Sequence, residues 1–440
     1  MLDRVLITFF LLLVIPDAYI YFMYLRQWIQ QRTDALTNAP KAGNKAFDLK
    51  TSLSWQSLRQ SPSFIHHASL LLFLLPSIFL LIYFIIVYST DDMRAAHQVT
   101  VGRFVFVFLL ITVPKTIFTI FDGIALLINR YISHTTLTAR RYLRIFAMAL
   151  SLCTLIILCY GYFKGRSRFV VHQQVFYFSN LPDAFDGYRI ALFSDIHLGT
   201  FNDGHEKDVE TIVNLINNQQ CDVILFAGDL VNYETEEALP YVSLLGTLKA
   251  PDGVFSILGN HDYSNYIMQA EAEKMRDAQA LRQIQHKTHW QLLQNANHVI
   301  RRGNDSIAII GSENDGLPPW PALGDLKKAS RGLQGVYSSD STLNHTFSVL
   351  ITHDPTHWRR NVLPETNIDL TLSGHTHGGQ FKLFGWSPVA SRYTEWSGAY
   401  SHGSQIICVS DGIGTIFLPF RFGAWPEVNV ITLRKSPQTH

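Results

Sequence analysis

Five short clusters of metal-capable side chains lie in the second half of this 440-residue sequence. They share carboxylate, amide or imidazole groups beside a small residue. The clusters are Ser194-Asp195-Ile196-His197, Gly228-Asp229, Gly259-Asn260-His261-Asp262, Thr352-His353-Asp354 and Gly374-His375-Thr376-His377. Carboxylate oxygen and imidazole nitrogen are the usual donors to catalytic divalent ions in proteins. We therefore interpret these residues as ligands of catalytic metal ions.

Each cluster by itself also has a purely structural explanation. An Asp-x-His or Gly-Asp pair after a strand is a common turn feature. Asn260 to Asp262 would equally form an Asx-turn, and His353 alone would fit a hydrogen-bonded core histidine. The metal interpretation depends on all five clusters occurring in one chain, each after its own predicted strand.

The donor set indicates how many ions are held and of what kind. It contains two carboxylates, one amide oxygen and four imidazoles, namely Asp195, Asp229, Asn260, His197, His353, His375 and His377. Seven donors are too many for one ion that must leave room for substrate, but they suffice for two ions that share a carboxylate. The mixture of oxygen and nitrogen suits Mn, Fe or Zn better than Ca or Mg. No cysteine belongs to the set, which argues against a structural zinc or an iron–sulfur cluster.

Short apolar runs precede the clusters and predict the strands that position them. The probable strands are Arg189 to Phe193, Val223 to Ala227, Val254 to Leu258, Ile307 to Ile310, Phe347 to Ile351, Leu370 to Leu372, Ile406 to Val409 and Val428 to Leu433. Most are unbroken apolar runs, typical of strands buried on both faces. Glu206 to Asn217 and Glu236 to Leu248 read as amphipathic helices, so the architecture is layered α/β. Ligands in such proteins gather at the carboxyl ends of strands, which predicts that the clusters converge.

The composition divides the chain into an apolar and a polar part. Hydrophobic residues make up 47% and charged residues 16% of the sequence, whereas soluble domains carry about a quarter charged residues. The excess lies in residues 1–165, which we interpret as a transmembrane anchor before a soluble domain at residues 166–440. A net charge of +1 without a basic stripe argues against nucleic acid as a partner.

Residues 5–25, 69–88 and 143–162 each supply about 20 largely apolar positions, enough to cross a bilayer. A fourth span, at about 101–121 within Val101 to Ile128, is interrupted by Pro114-Lys115. For Lys115 the sequence favours an interfacial, snorkelling side chain over an intramembrane partner such as Asp17. The polar segment 29–64 is predicted to be a loop that could contain an interfacial helix.

The ordered motifs DIHLG, GDLVN, GNHDY, THDP and GHTHGGQ resemble the calcineurin-like metallophosphoesterase superfamily over residues 188–433. The lead-in FDGYRIALFSDIHLG and the tail VSDGIGTIFLPFRFGAWPEV are similar to its branch of membrane-linked bacterial enzymes and transmembrane proteins with a metallophosphoesterase domain. Asp411 in that tail departs from the Arg or Asn that is usual in this branch. The departure puts a substrate-phosphate contact at that position in doubt.

The resemblance implies a four-layer αββα sandwich after the all-α transmembrane region, together with specific roles for the donors. One ion would be held by Asp195, His197, Asp229 and His377, and the other by Asp229, Asn260, His353 and His375. A hydroxide bridging the two metals would attack phosphorus in line. His261 would stabilise charge or protonate the leaving oxygen. Asp262 is a candidate catalytic residue that orients His261, with a helix-capping role as the equal alternative.

Two variable segments are candidates for substrate recognition, because the sequence contains no Gly-rich nucleotide loop. They are Tyr263 to Gln294, with a predicted helix at Ala270 to Gln285, and Asn314 to Thr346, with the turn Leu317-Pro318-Pro319-Trp320. Either would roof the site or be inert decoration. Membrane attachment favours a lipid-linked phosphate or pyrophosphate as substrate and membrane lipids as partners. Within the resembling branch, the specific expectation is hydrolysis of UDP-2,3-diacylglucosamine in lipid A synthesis.

Three alternatives remain open at the level of sequence. The first is a broad phosphodiesterase or phosphomonoesterase on the extracytoplasmic face. The second is a degenerate, non-catalytic binding module, which would be indicated by lost ligands, and none is lost. The third is a transporter with an appended hydrolase, which the few intramembrane charges support poorly.

The orientation of the catalytic domain follows from counting basic residues near the predicted spans. Residues 26–64 and 122–144 contain ten Lys or Arg, against six on the opposite side. Because basic residues favour the cytoplasmic side, the count places the catalytic domain outside the plasma membrane of a bacterium. That orientation conflicts with UDP-2,3-diacylglucosamine, whose nucleotide head should be cytoplasmic.

Overall fold

The computed structural model describes residues 2–37, 62–89, 95–131, 137–266, 269–338 and 345–436. The chain divides into two compact units. The first comprises Met1–Asp91 and Arg103–Cys159, and the second comprises Asp92–Gly102 and Tyr160–His440. Most of the loop predicted between the first two spans, residues 38–61, lies outside the described residues.

The apolar sequence forms long helices in the described part of the chain. Leu2–Ile20 continues through a π-helical turn, Tyr21–Leu25, into Arg26–Thr37, and the next helices are Pro62–Tyr88, Ala95–Tyr131 and Leu137–Phe163. Four described stretches are long and apolar enough to cross a membrane, namely Ile7–Ala35, Phe64–Tyr88, Gln98–Ile128 and Arg141–Ser167. Pro114 lies inside a continuous helix. The apolar run around it therefore forms one uninterrupted element.

Charged side chains inside the helices of the first unit form ion pairs. Lys115 Nζ lies 2.7 Å from Asp17 Oδ1, and Ser77 donates a hydrogen bond to the same carboxylate. Arg144 Nε lies 2.7 Å from a carboxylate oxygen of Asp122. The snorkelling interpretation of Lys115 is therefore replaced by an ion pair with Asp17, because a charge among apolar helices is stabilised by an opposite charge within reach.

The described residues of the second unit form two six-stranded sheets. The first has the order β1-β12-β2-β3-β4-β5, with β1 Val170–Phe178, β2 Arg189–Phe193, β3 Val223–Phe226, β4 Val254–Ser256, β5 Gln291–Leu292 and β12 Glu427–Lys435. The second has the order β10-β11-β9-β8-β7-β6, with β6 Ala296–Arg302, β7 Asp305–Gly311, β8 Ser348–Ile351, β9 Leu370–Ser373, β10 Gly398–His402 and β11 Gln405–Val409. Strands β2 to β5 are parallel, and so are β7, β8, β9 and β11.

The two sheets pack face to face and carry helices on their outer faces. Ile190, Leu225 and Ile309 belong to a buried cluster between the sheets. The helices Glu206–Asn217, Val242–Leu245 and Glu271–Lys287 flank the first sheet, and Leu326–Ala329 and Leu363–Glu365 flank the second. The apolar faces of the helices cover the outer faces of the sheets, which gives the four layers αββα. The predicted fold class is confirmed.

The eight predicted strands are all present, whereas β1, β5, β6 and β10 were not predicted. In strands β1, β6 and β10 the burial of the side chains alternates, or much of the strand is exposed or only partly buried, and β5 has only two residues. Such strands lack the apolar run that marks a buried strand. The predicted helix Glu236 to Leu248 is instead divided into the 3₁₀ turns Thr235–Glu237 and Leu239–Tyr241 and the short α-helix Val242–Leu245, because Pro240 lacks the N–H that a continuous helix needs.

Candidate metal centre

The donor residues occupy the carboxyl ends of neighbouring parallel strands. Asp195 and His197 follow β2, Asp229 follows β3 and Asn260 follows β4, while His353 follows β8 and His375 and His377 follow β9. The two sheets bring these ends together in one buried centre. Six of the seven side chains belong to residues at most 3% exposed, and the side chain of His375 is 8% exposed. The predicted metal-binding residues therefore converge.

The backbone bends sharply at the donors. Five of them adopt left-handed conformations with φ between 46° and 72°, namely Asp195, His197, Asp229, His375 and His377. Each such residue costs on the order of 1 kcal/mol, and such strain persists where the surrounding structure holds it for function. Gly259 is needed beside them because a Cβ there would lie 2.1 Å from Asp229 Oδ1.

The seven side chains form two donor groups that meet at one carboxylate. In the first donor group, His377 Nε2 lies 3.2 Å from His197 Nε2 and 3.4 Å from Asp195 Oδ1. The second donor group is Asp229, Asn260, His353 and His375. Asp229 Oδ2 lies 3.0 Å from His353 Nε2 and 3.6 Å from His197 Nε2, so this atom adjoins both groups.

The second donor group is closed by an amide oxygen. Asn260 Oδ1 lies 3.1 Å from His353 Nε2 and 2.8 Å from His375 Nδ1. His375 Nε2, on the other side of the ring, lies 2.9 Å from the hydroxyl of Tyr393. This leaves Nδ1 of His375 as the atom that faces the other donors.

A buried carboxylate tests whether this arrangement fits metal ions. Asp229 is 1% exposed, and its Oδ2 lies among ring nitrogens of proposed ligands, 3.0 Å from His353 Nε2 and 3.6 Å from His197 Nε2. A buried carboxylate is costly unless a positive charge, either a protonated histidine or a metal ion, neutralises it. Asp195, His197 and His377 lie close enough to bind one ion, and Asp229, His353 and His375 close enough to bind another. The residues present therefore fit two divalent ions.

Burial and mutual attraction set the protonation of the metal-free donors. Burial lowers the pKa of His197 and His377 well below the usual range and that of His375 to about 4, so these rings are neutral ligands. Burial also disfavours the charged forms of Asp229 and His353, but the attraction between the negative carboxylate and the positive imidazole is stronger than this effect of burial. The pKa of Asp229 is held well below its usual range, and that of His353 is raised to about 10. Without metal, His353 therefore carries the proton that an ion must displace.

His261 lies beside the first donor group and is oriented by a backbone carbonyl. Its Nδ1 lies 2.6 Å from the carbonyl oxygen of Asn232, and its ring centroid is 4.9 Å from that of His197. A ring nitrogen beside a carbonyl carries the proton, so Nε2 is left as the nitrogen that exchanges protons. Asn232 belongs to the GDLVN motif, but the sequence did not indicate that its carbonyl orients His261.

Asp262 acts differently from the predicted orienting residue. Its Oδ2 accepts hydrogen bonds from the N–H groups of Gly259 and Asp229, both at 2.9 Å. Its Oδ1 accepts from Leu230 at 2.9 Å and from Val231 at 3.3 Å. The carboxylate thus joins the loop that carries Asp229 to the loop that carries Asn260. The orienting assignment is corrected to the carbonyl of Asn232, and Asp262 caps backbone N–H groups.

Three aromatic side chains line the second donor group. The ring of Trp320 lies 5.0 Å from that of His375, edge to face, and the hydroxyl of Tyr266 accepts a hydrogen bond of 2.7 Å from Asn260 Nδ2. Tyr266 and Trp320 come from the two variable segments proposed as roofs. Tyr393 comes from neither, and no local motif marks it in the sequence.

The tail segment supports the first donor group through a buried arginine. Arg421 is fully buried and donates to the carbonyls of Gly414, Asp411 and His377. Asp411 forms an ion pair with Lys382 and is 1% exposed. The carboxylate that departs from the usual residue of the family is therefore paired internally instead of facing the site.

Known proteins are similar to this chain over part of its length. Residues 188–379 match the family model for calcineurin-like phosphoesterases. The chain is 31% identical over 267 residues to the uncharacterized metallophosphoesterase YkuE of Bacillus subtilis, covering 59% of this chain and 83% of that protein. It is 26% identical over 264 residues to the transmembrane protein with metallophosphoesterase domain of Danio rerio, covering 58% of this chain and 55% of that protein.

These similarities agree with the structure. This chain spans little more than half of the Danio rerio relative, and both carry the phosphoesterase region. The apolar helices, together with transmembrane relatives from Danio rerio and Bos taurus, indicate a membrane protein. The family uses divalent metals and hydrolyses phosphoesters, in keeping with the two donor groups. The chain belongs to the calcineurin-like phosphoesterase family and is a phosphoester hydrolase.

Proposed function

We propose that this protein is a membrane-anchored, binuclear phosphoesterase that cleaves a phosphate ester or pyrophosphate in a lipid-linked substrate. The observation that carries the proposal is the position of Asp229 Oδ2, which lies 3.0 Å from His353 and 3.6 Å from His197. One carboxylate oxygen shared by two donor groups is typical of a two-metal site. The four apolar helices support the membrane anchor.

Two ions of Mn, Fe or Zn fit the mixed oxygen and nitrogen donors. One would be held by Asp195, His197, Asp229 and His377, and the other by Asp229, Asn260, His353 and His375. When bound, such ions supply an activated water for attack at phosphorus and neutralise charge on the phosphate.

The side chains of the protein hold the substrate and move the proton. His261 donates its Nδ1 proton to the carbonyl of Asn232, which leaves Nε2 to carry a proton to the leaving oxygen. Trp320 and Tyr266 flank the donors and exclude water from one side of the site. Aromatic walls of this kind also accept apolar parts of a substrate.

A test of this function uses the full-length protein purified in detergent. The protein is stripped of metal, reloaded with Mn²⁺, Fe²⁺ or Zn²⁺, and assayed on a phosphomonoester, a phosphodiester, a cyclic nucleotide, a phospholipid and UDP-2,3-diacylglucosamine. We expect hydrolysis to return as two ions bind per chain, with turnover fastest on a lipid-linked substrate. Metal-independent turnover, or full activity with one ion, would contradict the binuclear site.

The same assay separates the alternatives. Preference for water-soluble esters would indicate a broad phosphodiesterase or phosphomonoesterase. Two bound ions without turnover on any substrate would indicate a non-catalytic binding module. The Asp229→Asn protein serves as the control, because it lacks the proposed shared ligand.

We propose that the protein lies in the plasma membrane of a bacterium with its catalytic domain outside. The support is the excess of Lys and Arg, ten against six, near one side of the predicted spans. Reporter fusions at His440 test it, and we expect periplasmic phosphatase activity without cytoplasmic fluorescence. The opposite result would place the domain inside and favour UDP-2,3-diacylglucosamine as substrate.

A further inference from the structure

An exposed apolar tip projects from the unit that carries the metal centre. Leu383, Phe384 and Trp386 are 37%, 99% and 58% exposed, and Phe417 on the neighbouring loop is 70% exposed. We call these four side chains the aromatic tip. Clusters of large exposed apolar side chains mark contact with a partner or a membrane more often than free surface.

The backbone of the aromatic tip is strained at Phe384 and Phe417. Leu383 and Trp386 exchange backbone hydrogen bonds of 2.9 and 3.1 Å across Phe384 and Gly385, whose φ angles are 51° and 78°. Hairpin turns with two positive φ angles favour Asn or Asp before Gly, because a bulky residue is disfavoured there. Phe384 occupies that position with its side chain almost fully exposed. Phe417, with φ of 58°, repeats the pattern.

The aromatic tip belongs to two neighbouring segments beside the first donor group, residues 380–386 and 416–425, which we call the rim. Gln380 lies three residues after His377 and exchanges hydrogen bonds of 2.7 and 3.1 Å with the backbone of Ile416. Lys382 N donates to the carbonyl of Phe422 at 2.7 Å. The segments that carry Phe384 and Phe417 are therefore held side by side next to a proposed metal ligand.

The same rim contacts the ends of two apolar helices, at residues that belong to this unit. The ring of Tyr160 lies 6.2 Å from Phe422 and 6.1 Å from Trp425. At Gly102 a Cβ would lie 3.0 Å from Pro419. Aromatic residues at the end of a spanning helix are typical of the boundary between membrane and water. The aromatic tip is therefore continuous with aromatic residues of the kind that lie at the boundary between membrane and water.

We propose that the aromatic tip inserts into the surface of the bilayer that the apolar helices cross. Insertion removes four apolar side chains from water and compensates for the strain at Phe384 and Phe417. It holds the rim beside His377 at the level of the headgroups. A phosphate would then reach the donor groups while the apolar part of its carrier remains in the bilayer. This last consequence rests on the proposed function, whereas the insertion does not.

The insertion is tested by measuring the depth of a spin label in the full-length protein in phosphatidylcholine nanodiscs. The label is attached after Phe384→Cys, with Cys153 and Cys159 replaced by serine. Asn304→Cys is the matched control, because Asn304 lies in an exposed turn that precedes β7, at the end of that sheet opposite His353. We expect the label at position 384 to collide more with oxygen than with a water-soluble nickel chelate, and the label at position 304 to do the reverse. Equal access to nickel at both positions would overturn the proposal, and shielding of position 384 from both reagents would indicate contact with a second copy of the chain instead.

The consequence for substrate delivery is tested with two substrates of the same enzyme. We expect the double substitution Phe384→Ser and Trp386→Ser to lower turnover of a bilayer-embedded phosphate ester by about tenfold or more, because membrane binding scales with buried apolar area. Turnover of a water-soluble ester should change less than about twofold, and Phe384→Trp should retain both activities since Trp also favours the interface. An equal fall on both substrates, or no fall on either, would contradict delivery through the tip. If the parent protein cleaves neither substrate, the proposed function fails, and the depth measurement still decides the insertion.

Discussion

Gly259 offers a steric test of the shared carboxylate. Its φ of −93° is open to any residue, so Gly259→Ala adds a methyl group without backbone strain. That methyl carbon would lie 2.1 Å from Asp229 Oδ1 and 2.6 Å from Asp229 N. Ordinary contact between carbon and a heavy atom is close to 3.5 Å, so Asp229 must move by about 1 Å. Metal ligands tolerate displacements of about 0.2 Å, and catalytic groups displaced by about 1 Å lose roughly 10²-fold in rate.

We expect Gly259→Ala to lower metal occupancy in both donor groups and to lower kcat by roughly 10²-fold or more. Occupancy is measured by elemental analysis, and hydrolysis by steady-state assay of the full-length protein. Gly123→Ala is the control, because among the described residues a Cβ at Gly123 would have no heavy atom within 4 Å apart from its own stretch of helix. Circular dichroism and thermal denaturation establish that each variant is folded.

Gly374 provides the comparison that separates a specific effect from general damage. A Cβ at Gly374 would lie 2.3 Å from Asp195 Oδ2, so Gly374→Ala displaces Asp195, which is a proposed ligand in the first donor group and not in the second. We expect Gly374→Ala to lose one ion and Gly259→Ala to lose both. Two retained ions and normal turnover in the folded Gly259→Ala protein would refute the shared role of Asp229.

Four further outcomes follow from the same geometry. Asp229→Asn should abolish hydrolysis and lower metal occupancy at both positions, and an active variant with two full-occupancy ions would contradict the bridge. His261→Ala should retain both ions while kcat falls by roughly 10²- to 10⁴-fold, the range for a positioned proton donor; unchanged turnover would remove His261 from the mechanism. Asp262→Asn should lower metal occupancy, because an amide nitrogen replaces an acceptor of backbone N–H bonds, whereas a fall in kcat with both ions retained would restore the orienting role that the sequence left equal to a capping role. The pKa of His353 is raised to about 10 without metal, so we expect metal binding at pH 8 to release about one proton, and the number released to decline as the pH rises through 10. Calorimetry in buffers of different ionisation enthalpy measures this release. If no proton is released at pH 8, the ion pair between His353 and Asp229 is contradicted.

The chemistry of the metal centre was readable from the sequence because it is encoded locally. The apolar runs before Asp195, Asp229 and His353 identify buried strands, and parallel strands bring their carboxyl ends to one edge. The types of donor alone indicated two ions. The apolar content of the first 165 residues likewise predicted the long helices, because a membrane requires about 20 consecutive apolar residues.

Contacts between distant segments could not be read in the same way. Tyr393 reaches His375, and Arg421 reaches the carbonyl of His377, across loops whose sequences contain no matching pattern. The ion pair between Lys115 and Asp17 joins residues 98 positions apart. The packing of whole helices and strands determines which of these residues meet, whereas the sequence gives only the type of side chain at each position.

The tertiary structure also decided between alternatives that the sequence left equal. Asp262 was a candidate orienting residue or a cap, and only the folded chain shows four backbone N–H groups directed at its carboxylate. The exposed strands β1 and β10 escaped prediction because their pairing partners, not their own apolar content, make them strands. Local sequence determined which donors follow each buried strand, because a strand end and its cluster are adjacent in the chain. The partners of those donors depended on the packing of two sheets, whose contacting loops lie far apart in sequence.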